Sequence, residues 1–429
     1  MKKVWAAAAG LVIVVVGAFW FSTNRLRWST KDPEVLALVE RAEVELGKLY
    51  YREAQELLEK ALAKAPDSFV VRYFLGRTYS YLGRAQAAAE QMAILESMSQ
   101  QLLTPRERML LDLLVLWKSG DREAYLARLA EYQRSYPREV ELVRLLAGAY
   151  QRAGQPEEAE RWGRKLLELD ANDALAYNIL GYAELARGRF AQAEEQFRKY
   201  AYIAPDQANP HDSLGELFLI TGRWEEAELE LQEAIRLNSR FYPAWWHLGA
   251  LYILQNRSEE LRWAMGELAR ALSLAPEEAQ REEATSLGLL AFFHKNTSLL
   301  DEAAQALRPP KSGWEYFVVH AAALARSNWA EAQALEASLE EQLTREERPM
   351  VRPLLLLHRA VRQGHWPQAL ELASPLLERT SFGNVNHAWF RLLAMQFRAE
   401  ALAGLGREEE AARQMRELRS INPRFPLGS

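Results

Sequence analysis

Residues 174–205 read ALAYNILGYAELARGRFAQAEEQFRKYAYIAP. Leu175, Ile179, Tyr182 and Leu185 recur at helical spacing, Gly188-Arg189 interrupts the run, and Phe190, Ala193, Phe197 and Tyr200 start a second run of the same period. The pattern predicts two helices joined by a tight turn. Gly181 on the first and Ala193 on the second are small where the helices should cross, which lets the axes approach towards the short end of about 8–10 Å. Pro205 ends the second helix, because a proline inside a helix has no N–H to donate and clashes with the preceding turn.

The stretch at 208–241 repeats the design. Leu214-Gly215, Gly222, Trp224, Ala227, Leu231 and Ala234 fall in register with Leu180-Gly181, Gly188, Phe190, Ala193, Phe197 and Tyr200. Self-similarity at one fixed period, with small residues at the same places, resembles the tetratricopeptide repeat, a helix–turn–helix unit of about 34 residues. The resemblance implies an all-α, right-handed superhelical solenoid. A single hairpin cannot bury both apolar faces, so each stacks on the next and a continuous core results.

Windows can be followed in both directions. The first opens near Val35, with Ala42, Ala54, Leu58, Ala61 and Pro66 in the expected places; the second, at Phe69, carries Leu75-Gly76, Tyr79, Gly83 and Ala88. Thr104-Pro105-Arg106-Glu107 has the form of a capping box with proline at the first helical position. The window that follows is degenerate, with Leu113 and Tyr125 replacing small residues. From Val140 the rhythm is strict through windows at Ala174, Ala208 and Tyr242, and beyond Pro276 it loosens. Later windows are expected near Leu287, Gly313, Met350 and Leu392, with a second capping box at 344–347 and a polar, hinge-like loop at 380–387. The expectation is about eleven repeats: seven over 35–276 and four degenerate ones over 277–429.

The chain begins Met1-Lys2-Lys3 and continues with an uncharged run, 4–21, before Arg25 and Arg27. As a helix this stretch measures about 27 Å, near the thickness of a bilayer's hydrocarbon core, with Trp5 and Trp20 at the two interfaces. Residues 1–28 are therefore expected to be a membrane anchor, transmembrane over about 4–21. The competing expectation is a signal peptide cleaved after Val16-Gly17-Ala18, which would leave Phe-Trp-Phe at the new terminus. A basic start ahead of a first span tends to stay in the cytoplasm, which places the repeats on the extracytoplasmic, periplasmic side.

Composition narrows the chemistry. With 53 basic against 58 acidic residues the net charge is −5, unlike the basic stripe that nucleic-acid binding wants. There is no cysteine, so thiol catalysis, disulfides and cysteine-ligated zinc are excluded, and an oxidising compartment is favoured. The seven histidines include no i, i+4 zinc pair; no phosphate-binding loop or Gly-x-Ser-x-Gly turn occurs. No catalytic residue, metal site or cofactor is expected, and His320 reads as a core histidine.

Tetratricopeptide arrays bind proteins or extended peptides on the concave surface lined by first helices, so the resemblance implies a binding scaffold. The inward places carry Tyr73, Arg77, Tyr81, Arg144, Asn178, Tyr182, Asp212, Trp246 and His247. Aromatic residues and arginine dominate interface energies, which makes these the candidate partner-binding residues. The basic clamp that one subclass uses for C-terminal carboxylates is missing. The expected function is a membrane-anchored scaffold for proteins of an envelope assembly; the alternative is an enzyme or regulatory subunit whose array holds a substrate.

Overall fold

A computed structural model describes residues 28–137, 139–343 and 348–426. The anchor span at 4–21 and the capping box at 344–347 lie outside the described residues. Among the described residues there are twenty-two helices, and none is long and apolar enough to cross a membrane. They form eleven consecutive hairpins. These are α1 (Pro33–Gly47) with α2 (Tyr51–Lys64), α3 (Phe69–Tyr81) with α4 (Ala85–Ser97), and α5 (Pro105–Ser119) with α6 (Arg122–Ser135). Next come α7 (Val140–Arg152) with α8 (Pro156–Leu169), α9 (Ala174–Ala186) with α10 (Phe190–Ile203), and α11 (Ala208–Ile220) with α12 (Trp224–Leu237). Then follow α13 (Tyr242–Gln255) with α14 (Ser258–Leu272), α15 (Pro276–Phe293) with α16 (Thr297–Ala306), and α17 (Gly313–Ala325) with α18 (Trp329–Gln342). The last two are α19 (Arg348–Arg362) with α20 (Trp366–Arg379) and α21 (Val385–Gly404) with α22 (Glu408–Ile421).

Every hairpin turns on one residue in the left-handed region. Seven of these are glycines (83, 120, 154, 188, 222, 364 and 406), and Leu49, Asn256, Lys295 and Ser327 fill the other four places. Outside the turn at Gly120 it is a Schellman motif: Arg189 N–H returns to Glu184 C=O at 2.9 Å, as Arg223 does to Phe218 and Arg407 to Leu402. Glycine accepts this conformation without a Cβ penalty; the four other residues hold it because the flanking helices are already paired. The crossing glycines behave as the spacing requires. A Cβ on Gly181 would lie 2.5 Å from Phe197 Cδ1, and one on Gly215 2.6 Å from Leu231 Cγ.

Two compact units divide between Leu146 and Ala147, inside α7. In the first unit, α1 pairs with α2, α3 with α4 and α5 with α6, around Val35, Val39, Leu58, Phe69, Leu75 and Leu110. The capping box at α5 is formed: Thr104 Oγ1 accepts from Glu107 N–H, and Glu107 Oε2 accepts from Thr104 N–H at 2.8 Å. Glu107 Oε1 also takes the backbone N–H and hydroxyl of Ser29 at 2.9 and 2.8 Å. Beside it, the Arg106 guanidinium lies 4.6 Å over the Trp28 ring. With Thr30 Oγ1 2.5 Å from Ser68 Oγ, residues 28–30 are fastened to the starts of α3 and α5.

In the second unit each first helix packs on the next first helix: α9 on α11, then α13, α15, α17, α19 and α21. The series does not stay open, because α21 returns to α11. Six inner helices, α11 to α21, thus form a closed ring with their partners outside. Its middle is filled by aromatic contacts that skip helices, Phe293 to Trp389 at 5.5 Å and Phe292 to His358 at 5.5 Å. His358 lies parallel to Phe397 at 5.0 Å. His320 is a core histidine, wholly buried against Glu336 at 3.0 Å, and Arg359 neutralises that carboxylate.

The last hairpin differs from its expected form. Helix α21 begins at Val385 instead of Leu392, because Asn384 caps it by accepting from His387 N–H at 2.9 Å. The preceding segment is no open polar loop. Thr380 and Phe382 are buried, and Phe382 packs edge-on against Phe190 at 5.3 Å. Beyond α22, Asn422 Nδ2 donates to the Leu219 and Ile220 carbonyls at 3.3 and 3.1 Å, in the last turn of α11. Phe425 is fully buried against Phe293. Arg424 covers the Trp224 ring at 4.2 Å and pairs with Glu225 at 2.6 Å.

Candidate functional site

The nine inward residues fall into two groups, and the two units treat them differently. In the first unit α3 carries Tyr73, Arg77 and Tyr81 along one stripe. Tyr73 is buried, its hydroxyl accepts from Arg77 Nη1 at 3.2 Å, and the guanidinium continues to Glu141 on α7 at 3.5 Å. Tyr81 remains exposed and stacks on Tyr51 of α2, with ring centres 4.7 Å apart. Arg144, one turn after Glu141, is also exposed. The stripe therefore presents a rigid pair of aromatic rings and an exposed guanidinium, with the partly buried Arg77 neutralised between them.

In the second unit the inward residues form a closed polar cluster. His247 on α13 sets Nδ1 2.7 Å from Asp212 Oδ1 and Nε2 3.5 Å from Glu216 Oε1, both carboxylates being on α11. Glu216 also accepts from the Tyr182 hydroxyl of α9 and from the backbone N–H of Val385, each at 2.7 Å. Asn178 Nδ2 donates to Ser213 Oγ at 3.2 Å. Asn178, Asp212, Glu216 and His247 are all buried, while Tyr182 and Trp246 are half-buried. Trp246 sets its ring edge-on to His247 at 5.4 Å.

Burial by itself would drive protons off His247, but the two carboxylates outweigh it and push the imidazole up to about 10. Glu216 is likewise burdened by burial, yet His247, the Tyr182 hydroxyl and the Val385 N–H hold it below the usual carboxylate range. Burial pushes the Asp212 carboxyl up against the pull of His247. The result is an imidazolium between two acids. Both ring nitrogens face carboxylates, so the protonated imidazole has no free lone pair to accept a proton, and it ties α13 to α11. Among the described residues no set of three His, Asp or Glu is arranged to hold a metal.

An outer cleft of about 360 Å³ lies between α20, α21 and α22, lined by Leu377, Arg391, Met395, Arg398, Gln414 and Glu417. Arg391 donates to the Leu377 and Thr380 carbonyls, so it caps α20 in the manner of other helix C-termini.

Glu216 and Val385 belong to the second cluster, Phe382 and Asn422 meet α10 and the end of α11, and none of the four is in the candidate set read from sequence. Glu216 had a signal, since it stands one repeat period after Tyr182. The other three had none, because they meet α9–α11 from 169 or more residues away, as the Val385–Glu216 bond shows.

Residues 167–208, the end of α8 through α9 and α10, match the protein-family model described as tetratricopeptide repeat. At this hairpin the chain is similar to a tetratricopeptide repeat. Solved structures to which the chain is similar include PilW, a widely conserved type IV pilus biogenesis factor, at 17% identity over 48% of this chain and 94% of that one, with a TM-score of 0.41. A tetratricopeptide repeat protein from Parabacteroides merdae is similar at 16% identity over 60% and 98% of the two chains, with a TM-score of 0.40. MamA is similar at 20% identity over 37% and 92%, with a TM-score of 0.31. No curated protein matches the chain.

Proposed function

We propose that this protein is a membrane-anchored scaffold. In this reading residues 4–21 hold it in the bilayer, the repeats lie on the extracytoplasmic side, and partner proteins or peptides of an envelope assembly dock on inner faces of the repeats. The observation that carries the reading is the first unit's inner stripe. Tyr81, stacked on Tyr51, and Arg144 stay exposed on helices whose hairpins do not need them for their own crossing. Side chains of these types, held rigid before binding, lose little freedom when a partner arrives. The net charge of −5 supports protein partners over nucleic acid.

The test is crosslinking and capture from membranes with the full-length chain. Stoichiometric protein partners that are lost in Tyr81→Ala and Arg144→Ala, with unchanged melting, support the scaffold. Capture unaffected by both variants rejects the stripe as the docking face. Release of the protein by alkaline carbonate, or a mature N-terminus at Phe19, rejects the anchor.

A further inference from the structure

The starts of α1, α3, α5 and α7 share one edge of the first unit. Trp28 sets its ring edge-on to Phe74 of α3 at 6.1 Å, and Arg106, which lies over that ring, continues to Glu139 before α7 at 3.6 Å. Helices within a hairpin run antiparallel, so α2, α4 and α6 end at this edge and the connections 65–68, 98–104 and 136–139 lie along it. Two large apolar side chains stand out from these connections. Leu102 is 77% exposed, more than any other large apolar residue described in the first unit, and Tyr136 is 51% exposed. Neither sits on a loose end. Arg108 Nη1 donates to the Gln100 and Leu103 carbonyls at 3.2 and 2.5 Å, on either side of Leu102, and Leu103 is buried. The Tyr136 N–H closes the last turn of α6 on Tyr132 C=O at 2.8 Å.

Charge follows the same edge. Residues 25–34, 64–68, 98–108 and 134–139 carry eight basic and five acidic residues, in a chain of net charge −5. Three of the five acids are already engaged: Glu107 is buried in its capping box, Glu139 pairs with Arg106, and Glu34 pairs with Lys64 at 2.9 Å. Lys31, Arg108 and Arg134 stay exposed.

We propose that this edge of the first unit rests on the anionic headgroups of the bilayer, with Leu102 and Tyr136 entering the interface. The tether favours a lipid surface over a protein one. Trp28 is fixed to the edge and stands seven residues after Phe21, where the apolar run ends, so at most about 25 Å of chain separates edge and membrane. An exposed leucine and a tyrosine beside lysines and arginines are also what a headgroup layer accepts: apolar atoms reach the acyl boundary, the phenol stays at headgroup level, and the cations meet lipid phosphates. The inference rests on residues 4–21 being the anchor. It adds a geometry to the scaffold reading, because α3 rises from this edge for 13 residues and places Tyr81 about 18 Å away from it, clear of the bilayer.

The chain has no cysteine, so single fluorophores can be placed without background. The full-length protein is reconstituted in phosphatidylcholine vesicles with a minor share of phosphatidylglycerol and isolated by flotation. Labels are set at Leu102→Cys or Tyr136→Cys on this edge, and at Gln86→Cys or Glu123→Cys, both exposed, on the opposite one. The expected result is that a quencher carried on the lipid chains dims the first two labels and leaves the second two bright. Leu102→Glu with Tyr136→Glu should abolish quenching of a label at the exposed Ser99→Cys, with flotation unchanged. Labels at 102 and 136 that stay bright in floated protein overturn the membrane-facing edge; if they are shielded from aqueous iodide instead, a second copy of the chain covers it. Equal quenching at all four sites overturns it as well, since the unit then has no preferred edge. Protein that fails to float rejects the anchor and the edge together, which separates that failure from the others.

Discussion

The two units use one hairpin design and end in opposite states. In the first, the inner face of α3 and α7 keeps Tyr81 and Arg144 exposed. In the second, the same face of α9, α11 and α13 is buried, with an imidazole between two acids and the later Val385 N–H on one of them. The difference does not come from the hairpin design, which both units share apart from the degenerate α5–α6 pair. It comes from whether the array returns to itself. An inward side chain is a candidate docking group only where no later part of the chain already occupies its face.

The contrast can be broken from the closed side first. Phe425→Ala removes a fully buried ring from the closing tail and should cost about 3–5 kcal/mol of the second unit's stability, with the first unit's melting unchanged. Equal losses in both units, followed by hydrogen exchange, would show that they do not fold as separable bodies. A smaller effect is expected at the helix crossings. Gly181→Leu forces a side chain into the Phe197 ring and should destabilise by about 1–3 kcal/mol. Gly76→Ala in the first unit should cost less, since its Cβ would meet Gln91 Cβ at 3.2 Å, a contact the neighbour can relieve. Unchanged melting of Gly181→Leu would mean the crossing lies elsewhere.

Next in size is a pH effect confined to one unit. All seven histidines, from His211 to His387, lie in the second unit. His247 is raised from an ordinary 6.5 to about 10 by Asp212 and Glu216 against burial, with the Tyr182 hydroxyl the other titratable group in the cluster. The folded state therefore holds a proton that the unfolded state releases. Its stabilisation is full below pH 6.5 and is lost as pH rises from there through about 10. On the acid side, burial holds His358 well below 6.5, so stability falls as pH drops under that value. Melting of the second unit should decline on both sides, and His247→Gln should flatten the alkaline limb alone. An alkaline limb that is the same in His247→Gln would rule out the charged imidazole as its cause.

The smallest stability effect sharpens the open side. Tyr81→Ala should leave melting within about 0.5 kcal/mol, as surface changes do, yet weaken partner capture by about 2 kcal/mol or more if its ring is an anchor. Tyr182→Ala should do the reverse, lowering second-unit stability through the orphaned Glu216 contact. A capture loss in Tyr182→Ala without a stability loss would show that the buried face is reached by partners in solution.

What could be read without the structure was local. Apolar spacing near 3.6, the left-handed turn residue and the small crossing residue act within one hairpin, so eleven hairpins and the capping box at 104–107 were legible in the sequence. Even a turn without glycine, such as Asn256, declared itself by standing one repeat period after Gly222. The tertiary structure alone decided which inward residues stay exposed. Closure depends on small rotations summed over many stacked repeats, and beyond Asn256 the turns at Lys295, Ser327, Gly364 and Gly406 leave the regular spacing. No local pattern encodes that sum. Whether Val385 reaches Glu216, and Asn422 the end of α11, is settled only when every intervening hairpin has packed.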